Sequence, residues 1–218
     1  MKRPLETSLA QSLPATVPFV GPEAIERTTG APFAARLGAN ESVFGPSPSV
    51  LEAIRSAAPS AWMYGDPESH DLRHALAQTI GIAPHEVVVG EGIDGLLGYV
   101  VRLFAGSGDT VVTSDGAYPT FNYHVAGYGA DLVKVPYVDD KEDPDSLLDA
   151  ARRHRAKLIY LANPDNPMGS WHSASVLQKM IDRLPEGCLL VLDEAYVELL
   201  PRWYRSAGLP PRARIRHR

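Results

Sequence analysis

A chain of 218 residues that is 44% hydrophobic is long enough for one substantial core with an accessory layer, or for two small domains. Its single cysteine, Cys188, excludes a disulfide framework or thiolate metal site built within the chain, and no apolar run approaches the roughly 18 residues of a membrane helix. The net charge of −5 hides an asymmetry: residues 201–218 hold six of the 21 basic residues and no acid, leaving residues 1–200 with 15 basic against 26 acidic, a balance that argues against nucleic-acid binding.

The opening Met1-Lys2-Arg3-Pro4-Leu5 lacks the apolar core of a signal peptide, so the expected compartment is the cytoplasm. Residues 1–35, rich in Pro, Thr and Ala, read as an N-terminal arm with a short helix around 22–27. A turn-rich segment, Leu37 through Pro48, leads into a helix over 48–58. Another turn, Trp62-Met63-Tyr64-Gly65-Asp66-Pro67, precedes a helix over 69–80 whose apolar face carries Leu72, Ala75, Leu76 and Thr79. On that helix His70 and His74 stand four apart, a metal-ligand spacing, but no third ligand or glutamate accompanies them in the H-E-x-x-H manner. A solvated face is the simpler reading.

From residue 86 onward strands and helices alternate. Strands are expected near 86–89, 109–113, 131–135, 157–161 and 188–192, and helices near 93–104, 119–126, 144–155 and 173–184. Continuous apolar strands alternating with amphipathic helices are the pattern of an α/β fold, a mostly parallel sheet with helices on both faces. Cys188-Leu189-Leu190-Val191-Leu192 is the most apolar of these strands, and it ends in Asp193 and Glu194. In an open α/β sheet ligands sit at the carboxyl ends of the strands, although an Asp-Glu pair there can equally cap the next element.

The first expected strand runs into Gly90-Glu91-Gly92-Ile93-Asp94-Gly95, a G-x-G-x-x-G turn opening a helix, and Asp115 lies 20 residues beyond Gly95. Nominally this completes a dinucleotide-binding fingerprint. The underlying physics is broader: glycines let backbone N–H groups approach an anion, and a helix N-terminus adds partial positive charge. A tight turn with no ligand is a further alternative. About 85 residues precede the unit, where a dinucleotide domain usually opens with it.

Four further segments narrow the choice: Tyr118-Pro119-Thr120-Phe121, Ala162-Asn163-Pro164-Asp165-Asn166-Pro167-Met168-Gly169, Asp193-Glu194-Ala195-Tyr196 and Asn40-Glu41-Ser42-Val43-Phe44-Gly45-Pro46-Ser47-Pro48. With Gly92-Ile93-Asp94 they resemble, in order, the motifs of the histidinol-phosphate aminotransferase group of fold-type-I pyridoxal-phosphate enzymes, over residues 36–198. Ser42 and Val43 depart from that group's Asn-Glu-Asn-Pro. The resemblance implies pyridoxal 5′-phosphate as cofactor, with Asp193 at its pyridine nitrogen, Asn166 and Tyr196 on its phenolic oxygen, Phe121 stacked on its ring, and the backbone of Gly92, Ile93 and Asp94 on its phosphate. Tyr64 would reach the phosphate of a neighbouring subunit, which implies a homodimer. Asn40 or Glu41 would lie near the substrate. The implied reaction is amino transfer between an amino donor, L-histidinol phosphate, and a 2-oxo acid, 2-oxoglutarate, with no nucleic acid or membrane involved.

The same resemblance calls for a Schiff-base lysine about thirty residues after Asp193, yet the five lysines, Lys2, Lys134, Lys141, Lys157 and Lys179, all precede it. No catalytic residue can therefore be assigned, and the expectation is an incomplete large domain that is inactive alone. The implied organisation is an N-terminal arm with part of a small domain (1–60), a partial cofactor-binding large domain (61–198) and an aberrant basic tail (199–218), read as a frameshift, truncation or natural tail. Other readings stay open here: an aromatic aminotransferase or threonine-phosphate decarboxylase of the same fold, a nicotinamide-dependent oxidoreductase built on the glycine turn, or a non-catalytic binding protein.

Overall fold

The structure, a computed structural model, describes residues 5–13, 19–38 and 40–201; most of the expected basic tail, residues 202–218, lies outside them. The chain divides into two compact units, one of residues 1–18 with 89–218 and one of residues 19–88.

Within the first unit, helix α1 (Ser8–Ser12) is a single short turn capped by the Thr7 hydroxyl. In the second unit lie α2 (Pro22–Thr29), α3 (Pro48–Ala57) and α4 (His70–Ile80). Proline at the first position starts α2 and α3, and the Ser47 hydroxyl accepts from the Val50 N–H to cap α3. The face expected for α4 is not the one it buries. Leu72 is 53% exposed and the only fully buried residue on the helix is Ala77, because the helix packs on the 3₁₀ turn Pro84–Glu86, where the Arg73 guanidinium donates twice to the Pro84 carbonyl. On the same helix His70 Nδ1 lies 2.9 Å from Asp71 and His74 Nδ1 lies 2.8 Å from the His70 carbonyl. Among the described residues no three His, Cys, Asp or Glu side chains gather as metal ligands, and no helix is long and apolar enough to cross a membrane.

The 89–201 body is built from α5 (Gly92–Phe104), β1 (Thr110–Ser114), α6 (Pro119–Gly127), β2 (Asp131–Val135), α7 (Pro144–His154), β3 (Leu158–Ala162), α8 (Ala174–Asp182) and β4 (Leu189–Asp193). The four strands form one sheet in the order β2-β1-β3-β4, all parallel. The two-residue period of a strand sorts side chains between two cores. Val111, Leu158, Tyr160 and Ala162 face α5 and α6, with Leu97, Val101, Phe121 and Val125 packed onto them. Val112, Ile159 and Leu161 face the other way, onto Leu147, Leu148 and Ala151 of α7 and Leu177 and Met180 of α8. The chain steps from β1 outward to β2 over one face, then back past β1 to β3 over the other, as right-handed crossovers require. A topological switch therefore falls between the carboxyl ends of β1 and β3.

One expected strand is corrected. Residues 86–89 do not join the sheet: Val87 has extended backbone, φ −106°, ψ 127°, but none of the described strands hydrogen-bonds beside it. A strand exists only through its ladder, so this segment is an extended connection. Cys188 falls just before β4 and is half-buried, and burial pushes its thiol up to about 11.

Candidate functional site

The carboxyl edge of the sheet collects the polar side chains that the cores exclude. Asp193, the last residue of β4, is 7% exposed. Both its carboxylate oxygens are engaged: Oδ2 accepts from the Tyr160 hydroxyl at 2.7 Å and Oδ1 from the Ala195 N–H at 2.9 Å. Its carbonyl accepts from the Asn163 N–H at 2.8 Å, which continues the β3–β4 ladder one step past the strand ends. Asn163 is itself fully buried, its side chain closing a pair of hydrogen bonds with the backbone of His172. That clasp folds the 163–172 loop back on the sheet, with cis peptide bonds at Asn163–Pro164 and Asn166–Pro167. Asn166 is partly buried on this loop, and Tyr196 is partly buried three residues past Asp193.

Helix α5 brings the glycine turn to the same edge. Its C-terminus connects to the start of β1 through residues 105–109, so a helix of about 20 Å running back along strands of about 16 Å ends its N-terminus near their carboxyl ends. The Tyr118 hydroxyl, just past β1, lies 3.5 Å from Asp94 Oδ1. No side chain caps α5. Gly92 sits at φ +73°, a conformation that glycine adopts without the steric cost other residues meet, and the following Ile93 and Asp94 present the exposed first turn. The dinucleotide fingerprint loses its support here: the strand it requires before Gly90 is absent from the sheet, and Asp115 instead pairs with Lys134 at 3.3 Å.

Phe121, in the first turn of α6, is wholly buried, its ring stacked on Tyr160 with centroids 4.4 Å apart and planes 17° from parallel. The structure therefore places Asp193, Asn166, Tyr196, Phe121 and the 92–94 turn on one body and at one end of its sheet. Asn40, Glu41 and Tyr64 belong to the 19–88 unit, where each is exposed, Tyr64 fully so.

Sequence reasoning missed three of this edge's polar groups. Glu142 is 1% exposed and fills the switch between β1 and β3: Oε2 accepts from the Ser114 hydroxyl at 2.7 Å and Oε1 from the Ala162 N–H at 2.8 Å. Desolvation raises its carboxyl to about 7, against the opposing pull of those two donors. His172 Nε2 lies 2.7 Å from the Glu142 backbone carbonyl. Glu142 stands in an acidic run, Asp139 to Asp143, that reads as a solvated turn. A signal was nevertheless present: Asp143 caps α7, so Glu142 occupies the position before the cap that ordinarily holds an inward-facing apolar residue packed over the helix's first turn. Asp165 accepts from the Tyr137 hydroxyl at 2.9 Å; burial raises the Asp165 carboxyl, and burial first, then that bond, raises the Tyr137 phenol. Tyr137 in turn packs against Gly116, where a side-chain carbon would come within 3.2 Å of its ring at a backbone φ of +115°, so glycine is required. Tyr160 is the third, fully buried inside an apolar strand whose pattern announces only core.

Residues 35–207 match the model of the family described as aminotransferase class I and II. The histidinol-phosphate aminotransferase of Anaeromyxobacter sp. (strain Fw109-5) is 38% identical over 198 residues, 89% of this chain and 54% of that protein. Among solved structures, histidinol-phosphate aminotransferase from Sinorhizobium meliloti in complex with pyridoxal-5′-phosphate superposes with a TM-score of 0.88 at 59% identity, covering 94% of this chain and 54% of that one. A Thermus thermophilus aspartate aminotransferase mutant gives 0.73 at 25% identity, covering 89% and 54%. The chain thus spans about half the length of the curated relatives it matches.

Proposed function

The chain belongs to the class I and II aminotransferases, and on that premise we propose that its 89–201 body holds pyridoxal 5′-phosphate for amino transfer between L-histidinol phosphate and 2-oxoglutarate. The observation that carries the reading is Asp193: a nearly buried carboxylate at the end of β4, held at both oxygens by neutral donors. A carboxylate so fixed keeps lone pairs for one more donor, which suits a protonated ring nitrogen. When bound, the cofactor supplies an electron sink for the charge left on a substrate that loses its α-proton.

The residues present fit that group. The Ile93 and Asp94 amides, after the uncapped turn at Gly92, take the phosphate at the N-terminus of α5. Asn166 and Tyr196 hydrogen-bond the phenolic oxygen. Phe121, stacked on Tyr160 through one ring face, would offer the cofactor its other face, which opens only if the side chains covering it, other than Tyr160, move, since the ring is wholly buried. Asn40 or Glu41 would lie near the substrate, and Tyr64, fully exposed on the 19–88 unit, would reach the phosphate in a second copy of the chain in a homodimer. No lysine follows Asp193 in these 218 residues, so the contacts these residues offer the cofactor are non-covalent.

Titration with pyridoxal 5′-phosphate, read by fluorescence, tests the proposal. Saturable binding is expected without the absorbance band of a lysine-linked cofactor, and Asp193→Ala is expected to weaken it at least tenfold, the scale of one hydrogen bond to a charged group. Unchanged affinity in Asp193→Ala, or saturable NADH binding at the same site, would overturn it.

A further inference from the structure

Tyr160 joins the two side chains that the proposed site places around a cofactor ring. It stands in the middle of β3, opposite Val191 of β4, while Ala162 stands opposite Asp193. Tyr160 and Asp193 therefore share the sheet face that carries α5 and α6, one pleat apart along a diagonal of roughly 7 Å that a tyrosine can span. Its hydroxyl donates to Asp193 Oδ2 at 2.7 Å, and its ring lies on Phe121 at 4.4 Å, nearly parallel. Burial foremost, then the charge of Asp193 and the bond to it, raise the phenol far above its ordinary value, so it stays a donor across the working pH range.

With Oδ1 taken by the Ala195 N–H, rotation of the Asp193 carboxylate is set by these two donors. Because Asp193 ends its strand, the Ala195 amide comes from the irregular segment past it, and the hydroxyl of Tyr160 is the contact anchored inside the sheet. We propose that Tyr160 is the positioning residue of this site, aiming the Asp193 carboxylate at the ring nitrogen of pyridoxal 5′-phosphate through its hydroxyl and fixing Phe121 through its ring. The inference rests on the reading that Asp193 meets that nitrogen. A tyrosine serving only the core would also need a partner for its hydroxyl, so the distinguishing property is dependence on the ring nitrogen.

The test compares dissociation constants of pyridoxal 5′-phosphate and its 1-deaza analogue, which lacks the ring nitrogen, for the 218-residue chain and its Tyr160→Phe, Asp193→Asn and double variants. Tyr160→Phe keeps the stacked ring, and a thermal unfolding transition checks that it keeps the fold. The expected result is a roughly tenfold weaker affinity for pyridoxal 5′-phosphate in Tyr160→Phe, an unchanged affinity for the analogue, and a double variant no weaker than Asp193→Asn. Equal weakening toward both compounds, or none toward either while Asp193→Asn weakens the first, would overturn the role of Tyr160 and leave that of Asp193 standing. An Asp193→Asn chain with wild-type affinity for pyridoxal 5′-phosphate would instead bring down the underlying reading. A readout that needs no destabilised variant is the Cζ resonance of ¹³C-labelled Tyr160, expected to move on adding pyridoxal 5′-phosphate and to stay in place with the analogue; no movement with either also overturns the proposal.

Discussion

Two stretches of this chain with similar helical patterning differ in what they bury. In the 89–201 body every residue of β3 is buried, between α5 and α6 on one side and α7 and α8 on the other. In the 19–88 unit α2 and α3 bury no residue at all, and Ala77 and Val87 are the only buried apolar residues described there. Capping and amphipathic spacing are present in both. Local rules therefore suffice to draw a helix, but its stability comes from the surface it packs against.

The contrast can be broken most directly by deleting core. Leu161→Ala, at a fully buried position of β3, is expected to cost about 3 kcal/mol in chemical denaturation, whereas Ile54→Ala on α3, 58% exposed, should cost less than about 0.5 kcal/mol. Similar losses at the two positions would mean that α3 is as firmly packed as the sheet.

Next in size is a pH effect confined to the sheet body. The Glu142 carboxyl is raised from an ordinary value of 4.5 to about 7 in the folded chain. Below about pH 4.5 both states hold the proton. Between there and about pH 7 the unfolded chain gives it up first, so the unfolded state binds fewer protons and stability falls as pH rises, by an amount on the order of 3 kcal/mol. Glu142→Gln, whose amide can donate to Ser114 and accept from Ala162, should lose that slope and be the more stable protein at pH 8. Parallel pH profiles for wild type and Glu142→Gln would sink this account.

The smallest effect compares caps. Asp143 caps α7 by accepting from the Ser146 N–H at 2.9 Å, as Ser47 caps α3 from Val50 at 3.3 Å. Removing the first, Asp143→Ala, should lower global stability by about 1 kcal/mol. Removing the second, Ser47→Ala, should instead speed hydrogen exchange within α3 and leave the unfolding midpoint of the sheet body unmoved. A matched shift in both variants would show one cooperative unit.

Much of this architecture was legible in advance, and what was not has a common cause. Continuous apolar runs located β1 to β4 and period-3.6 patterning located α5 to α8, because a sheet covered on both faces writes its strands as unbroken apolar segments, and the acids after Leu192 marked the carboxyl edge. The segment 86–89 has the composition of a strand, but pairing is a property of a neighbour, and no described strand supplies one. The face of α4 was misread because the Pro84–Glu86 turn, not the helix's own apolar stripe, decides what is covered. At the site, Asp193, Asn166 and the Gly92 turn stood out as punctuation between periodic segments. Tyr160 did not, since its hydroxyl finds a partner 33 residues away, and Glu142 was hidden beside the exposed acids Asp139 and Asp140 and the helix-capping Asp143.

The all-parallel order of the sheet also constrains how it can assemble. Paired residues are 21 apart between β1 and β2 (110 to 131), 31 between β3 and β4 (158 to 189) and 47 between β1 and β3 (111 to 158), so no pairing can nucleate from a tight hairpin. Loop-closure entropy favours the 21-residue closure over the 47-residue one by about 0.7 kcal/mol. Loop closure alone thus favours the β1–β2 and β3–β4 pairings over the central β1–β3 junction, the seam that Glu142 bridges through Ser114 and Ala162. Non-local pairing of this kind is the topology for which slower folding is expected than for a helical bundle or a hairpin-built sheet.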